Sequence, residues 1–269
     1  MADIVQAVKG QLTLENVLRA AMKTPGVKIN RAKFLKKELL KYCPEDQISE
    51  AIKQNPAKAG ISKEIINKIS LSVINYETTK VTGISVAASL PGGPAAVGAT
   101  AADITSYFAF IFRTVQELAY LYGFEQMNFN EDEMDAEMMN YVLIFMGVMF
   151  GVQGAAGTLR KLADVVARQV HKKLAQKALT RGAVYPIVKK VATKVGIHMT
   201  KQVFADSVAS SVPIVGGVLS GGLTFAMFKP GCMKLRKRLM SYNLCDPNYY
   251  RNKAESEIID EEVTGDEDQ

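Results

Sequence analysis

Three stretches of 22 residues each, 81–102, 138–159 and 207–228, contain no charged side chain, and they leave the chain few ways to fold. A run of that length can cross a bilayer as a helix or supply the core of a helical bundle. The first run is interrupted at its centre by Pro91-Gly92-Gly93-Pro94. That sequence cannot continue a helix, and an exposed turn does not lie in hydrocarbon, so it reads as the bend of a helical hairpin. The second run has acids before it and Arg160 and Lys161 after it, so a crossing would put residue 160 on the cytoplasmic side. The third would then lead outward and place Lys229, Lys234, Arg236, Lys237 and Arg238 on the outer face, against the positive-inside tendency. Core helices are therefore expected ahead of hairpins dipping into one leaflet, and both ahead of full spanning. Gly147 with Gly151, and Gly217 with Gly221, have the spacing that lets helices approach closely in a membrane or in a tight core.

The rest of the chain is also helical in pattern. Helices are expected over 14–23, stopped by Pro25-Gly26, and over 31–42, capped by Asn30 with Phe34, Leu35, Leu39 and Leu40 as its apolar side. A third begins near Pro44. Ser62 caps a long helix to about 90, with Ile65, Ile66, Ile69, Val73 and Tyr76 as its stripe. The next runs from about 95 to 122, antiparallel to it and ended by Gly123. A helix capped by Asn130 runs to 158 or beyond, basic helices follow to 195, another covers 198–211, and a short basic helix covers 233–242 after a break at Pro230-Gly231. No stretch alternates as a strand does. The expected fold class is all-α, a multi-helix bundle with glycine-rich apolar hairpins. Its parts are a short-helix region (1–61) packed on a helical core (62–242), with an acidic, flexible tail (243–269).

The formal charge of +6 conceals a division. Residues 254–269 hold eight acids and no base; without them the chain carries +14. Residues 160–202 hold eleven Lys and Arg against one acid, Asp164. A basic body calls for an anionic partner. Tyr185 is the one aromatic in that stretch and no reading motif appears, so lipid headgroups are favoured over nucleic acid. Lys161, Arg168, Lys172, Lys173, Lys189 and Lys190 are the candidate lipid-facing cations. The three cysteines, Cys43, Cys232 and Cys245, are an odd and unclustered set, and the N-terminus lacks the order of a secretory signal, which points to a reducing, cytoplasmic setting.

Chemistry is sparsely marked. Asp103, Ser106, Tyr107, Phe110, Arg113 and Glu117 share one helix face. In a hairpin centred on Gly92, Glu77 falls opposite Tyr107 and Lys80 near Asp103. Glu77, Lys80, Asp103, Tyr107 and Arg113 are thus a candidate polar cluster, with a satisfied structural network or a solvated face as its blander reading. His171 and His198 stand apart with no ligand pattern, and no phosphate loop or nucleophile elbow is present, so no metal or cofactor is expected.

Four stretches taken together, VKINRAKFLKKEL (27–39), LPGGP (90–94), QELAYLYG (116–123) and VPIVGGVLSGGLT (212–224), resemble the EcsC family over about residues 27–240. The resemblance implies a bacterial helical protein of a family named for a neighbour of an ABC transporter. That family has no established activity, so it brings no catalytic residues. It marks Pro91, Gly92, Gly93 and Pro94, with Pro213, Gly216, Gly217, Gly221 and Gly222, as candidates for a shared structural or membrane role. The basic insertion and the acidic tail are not family features. The expected function is a peripheral, membrane-associated accessory protein, transporter or envelope related, that meets anionic lipid or a membrane complex at the inner face of the cell membrane. The alternative is a soluble enzyme or ligand-binding bundle that uses the 77–117 cluster.

Overall fold

Local chemistry sets the helix ends. A computed structural model describes residues 14–88, 101–128, 136–168, 190 and 219–265. Helix α1 (Leu14–Lys23) ends before Pro25 and Gly26, whose φ is 78°. In α2 (Arg31–Leu39) the Asn30 Oδ1 accepts the Lys33 N–H at 2.9 Å. This helix stops short of the expected 42, because the N–H groups of Tyr42 and Cys43 both turn back to the Leu39 carbonyl. Leu40, assigned to the apolar side, is consequently 57% exposed. Helix α3 (Glu45–Lys53) starts after Pro44 with Glu45 and Asp46 in its first turn. Ser62 Oγ accepts the Ile65 N–H at 3.4 Å at the head of α4 (Lys63–Ala88). Tyr76, expected on the α4 stripe, is 56% exposed; the buried stripe instead passes through Ser70, Val73, Ile74 and Glu77.

Helix α5 (Ala101–Leu121) closes in a Schellman motif at the expected glycine. The Phe124 N–H donates to the Ala119 carbonyl at 2.9 Å and the Gly123 N–H to that of Tyr120 at 3.3 Å, with Gly123 at φ 96°. A Cβ there would stand 3.0 Å from Leu244, so space as well as backbone requires glycine.

Two expectations are corrected. The single helix predicted through 158 is α6 (Ala136–Met149) and α7 (Ala155–Ala167), separated by a second Schellman turn in which Val152 donates to Gly147 at 2.7 Å and Gly151 has φ 66°. Gly151 therefore ends a helix and does not form a small-residue stripe with Gly147. Conversely, α8 (Leu219–Leu239) runs without a break through Pro230 and Gly231. A Cβ on Gly231 would meet Met149 at 3.5 Å, and Phe228 and Cys232 are buried on either side, so packing carries the helix past the missing N–H. A 3-10 turn (Asn243–Cys245) leads to α9 (Pro247–Gly265).

Helix α4 is central. Its Ser70 meets Tyr122, just past α5, at 3.0 Å, and Glu77, further along, meets Arg113, further back, so the two helices run antiparallel as expected. Helix α8 also runs antiparallel to α4: Arg236 Nε donates to Ser70 Oγ at 3.1 Å, and Lys63 of α4 pairs at 2.6 Å with Asp246 beyond α8. One apolar cluster joins Leu18 and Leu35 of the short helices to Ile66, Phe112, Phe145 and Phe228. The segment from 243, expected as a loose tail, begins in the core: Leu244 and Cys245 are buried, and Asn55 Nδ2 donates to Tyr250 Oη at 3.1 Å. From Arg251 to Ser256 every side chain but Lys253 is exposed. The described residues are helical with no strand, so the fold is all-α. Among them, no helix is long and apolar enough to cross a membrane.

Candidate functional site

The polar cluster expected between α4 and α5 exists, with a different membership. Arg113 Nη2 donates to Glu77 Oε1 and to Glu117 Oε1, both at 3.2 Å, and Nε donates to Glu77 Oε2 at 3.4 Å. Its Nη1 donates to the Gly26 carbonyl, tying the α1–α2 loop to the cluster. Lys80 Nζ stands 3.8 Å from Glu77 Oε1. Glu77, Lys80 and Arg113 are thus brought together, and Glu117 joins them. Glu77 faces Arg113 and not Tyr107. Tyr107 packs its ring against Phe108 and Phe228, at 5.7 and 6.2 Å between centroids. Its hydroxyl is buried without a hydrogen-bond partner among the described residues. The Asp103 side chain lies outside the described residues.

One guanidinium thus serves two carboxyl groups, of which Glu77 is fully buried and Glu117 nearly so. Burial raises the Glu117 carboxyl, and the neighbouring Glu77 raises it further against the pull of Arg113 and Lys80, to about 8. Glu117 Oε2 has no hydrogen-bond partner among the described residues. The arrangement holds a proton near neutral pH. Folded Glu117 binds that proton more tightly than an ordinary carboxyl at 4.5 does, so its contribution to stability is complete below 4.5 and lost as pH rises through about 8. We expect urea-unfolding free energy to fall across that window in the native chain and to fall much less in Glu117→Gln, which has nothing to titrate. An equally steep fall in the variant would put the titration elsewhere.

The cluster contains no activated nucleophile. Cys232 lies within electrostatic reach of Glu77 and Glu117, but burial pushes its thiol well above the usual range. Burial likewise pushes Cys245 up to about 12 and raises Cys43. All three cysteines are free and buried. Among the described residues, no group of three or more His, Cys, Asp or Glu could hold a metal ion.

Two of the stretches that carry the EcsC resemblance meet in space. Gln116 accepts the Ile29 N–H at 3.0 Å and donates to the Val27 carbonyl at 2.8 Å. Arg31, which sequence reasoning did not single out, is buried and donates to four carbonyls: Phe124 at 3.0 Å, Ile52 at 2.6 Å, Ala51 at 3.2 Å and Gln54 at 2.9 Å. Its only sequence signal was the place just after a cap, where a surface arginine is the ordinary reading. Tyr120 Oη accepts from the Met127 N–H and from Gln126 Nε2, both at 3.1 Å. In these two stretches the motif residues are joints between helices. Of the other marked residues, Gly221 and Gly222 fall within α8. Pro91, Gly92, Gly93, Pro94, Pro213, Gly216 and Gly217 lie outside the described residues.

The predicted cations gain neighbours. Lys161, Arg168 and Lys190 are exposed, while Lys172, Lys173 and Lys189 lie outside the described residues. Exposed Arg160 stands beside Lys161, and α8 exposes Lys234, Lys237 and Arg238. Tyr242, three residues past the end of α8, reaches α7: its hydroxyl donates to the Ala156 carbonyl at 3.0 Å and lies within electrostatic reach of Arg160 and Arg238. Lys234 Nζ is 3.9 Å from a Cβ built on Gly151, in the turn before α7. None of these cations forms an ion pair with a described residue. No family model, curated protein or solved structure matches this chain.

Proposed function

We propose that this chain is an EcsC-like peripheral protein that docks on anionic membrane at the inner face of the cell membrane, as an accessory to a transporter or envelope process. The observation behind this reading is the set of exposed cations on α7 and α8 that have no ion-pair partner among the described residues. A protein that stays in solution commonly intersperses acids among such residues; here Asp164 is the one acid of α7. Each cation near an anionic interface contributes about 1 kcal/mol, so six acting together suffice for reversible docking. The same two helices flank, in sequence, the stretch holding Lys172, Lys173, Lys189 and the glycine-rich run from Pro213. Meeting a headgroup layer needs no spanning helix.

Flotation of the purified chain with neutral and with anionic vesicles tests the reading. Flotation with anionic vesicles alone, reduced by salt, is expected, as is its loss when Arg160, Lys161, Lys234 and Arg238 are all changed to Glu. Undiminished flotation of that folded variant would sink the proposal.

A further inference from the structure

The large hydrophobic side chains that stand exposed among the described residues are Leu40, Tyr42 and Tyr76, at 57%, 37% and 56%. They are not scattered. Leu40 and Tyr42 follow α2, and Tyr76 is on the outer face of α4. Lys68 of α4 reaches back over the Tyr42 ring at 5.1 Å from its centroid. Lys80, one turn from Tyr76, lies over that ring at 4.6 Å. Lys37 of α2 is within electrostatic reach of Tyr76, and Lys41 is exposed between Leu40 and Tyr42. Lys68, Ser72 and Tyr76 follow one another at helical spacing, so the face extends about 12 Å along α4. Of the carboxylates beside these lysines, Glu38 is held by Lys37 at 3.0 Å, Glu77 stands 3.8 Å from Lys80 on the buried side of α4, and Glu64 sits in the first turn of that helix.

Apolar rings framed by lysines fit an acidic partner that also carries apolar side chains. A membrane meeting the α7–α8 cations would not reach them. Ser70 and Glu77 turn towards α8 and α5, and Lys68, Ser72 and Tyr76 occupy the opposite side of α4. The chain itself contains a segment of the complementary kind. Helix α9 holds Glu255, Glu257, Asp260, Glu261 and Glu262, with Ile258, Ile259 and Val263 between them. By spacing, Ile259 and Val263 are one turn apart, as are Glu255 and Ile259. The helix is anchored at its start by the Lys63–Asp246 pair and by Tyr250 on Asn55, and Arg251, Asn252, Ala254, Glu255 and Ser256 are exposed, so it leaves its own body there.

We infer that the Leu40–Tyr42–Tyr76 face receives the acidic half of α9 from a second copy of this chain. The contact joins two different surfaces, so it is a heterologous one, closing into a ring or extending as a chain of subunits. This inference is independent of the membrane proposal and is tested without lipid.

Sedimentation velocity of the full chain over a range of concentration and salt is the experiment, with circular dichroism to confirm that every variant is folded. Reversible association weakened by salt is expected. It should weaken about tenfold or more in Lys41→Glu/Lys68→Glu, and likewise in Glu255→Lys/Glu261→Lys/Glu262→Lys. Mixing the two variants should restore association, because the reversed face of one then meets the reversed helix of the other. A native chain that stays monomeric overturns the inference. So does association that survives in both variants, or a mixture that fails to recover. If the native chain is monomeric and the Lys41→Glu/Lys68→Glu variant floats less with anionic vesicles, the face belongs to lipid instead.

Discussion

Replacing Arg31 by Ala is expected to lower unfolding free energy by about 3–5 kcal/mol, a large part of what a domain of this size has in reserve. The guanidinium supplies donors to the carbonyls of Ala51, Ile52 and Gln54 at the C-terminal end of α3, and to Phe124 just past α5. Helix ends leave carbonyls without partners inside the helix, and a buried carbonyl without a donor costs about 1–3 kcal/mol. Burial also pulls the arginine below its ordinary value, with nearby Glu125 acting the other way, so the charge is retained at a cost that these bonds and Glu125 offset. Arg31→Lys should recover only part of the loss, because an ammonium cannot spread donors over four carbonyls as a planar fork does. Chemical denaturation of the three proteins at one pH decides the point. A loss below about 1 kcal/mol for Arg31→Ala would mean that water reaches those carbonyls unaided.

Glu77→Ala is expected to cost about 2–4 kcal/mol and, more tellingly, to change the pH profile. The Glu77 carboxylate is fully buried and accepts two bonds from Arg113. Once it is gone, Glu117 is the remaining carboxyl on that guanidinium and loses the neighbour that raised it. Its proton should then be released at lower pH, and the decline in stability between 4.5 and about 8 should shift to lower pH. Glu77→Ala/Glu117→Gln removes both carboxyl groups and leaves a largely buried cation facing a neutral amide oxygen in their place. Its loss should therefore exceed the sum of the single losses, as expected for groups sharing one partner. Additive losses, or a pH profile unchanged by Glu77→Ala, would show that the two carboxyl groups do not compete for Arg113.

The same residues divide what could be read from sequence from what could not. Fold class and several helix ends were legible because they depend on neighbours a few residues away. Asn30 caps with its own side chain, Pro25 cannot extend α1, and Gly123 takes up a positive φ that other residues resist. Sequence by itself also determined that charge is segregated, since a side chain's formal charge needs no fold. Tertiary structure alone decided the matters in which distant residues compete for one place. Pro230 marks a break, yet α8 continues because its own Phe228 and Cys232 are buried in the core and its Gly231 packs on Met149. Gly151 fits an interhelical stripe, yet its neighbours favour a turn. Tyr76 leaves its expected place on the apolar stripe because the buried side of α4 is set by α5 and α8, against which it packs. Arg31 shows the limit most plainly. A guanidinium near a helix start is ordinary on a surface, and only the arrival of two other chain segments, the end of α3 and the stretch after α5, makes it the donor that several buried carbonyls depend on.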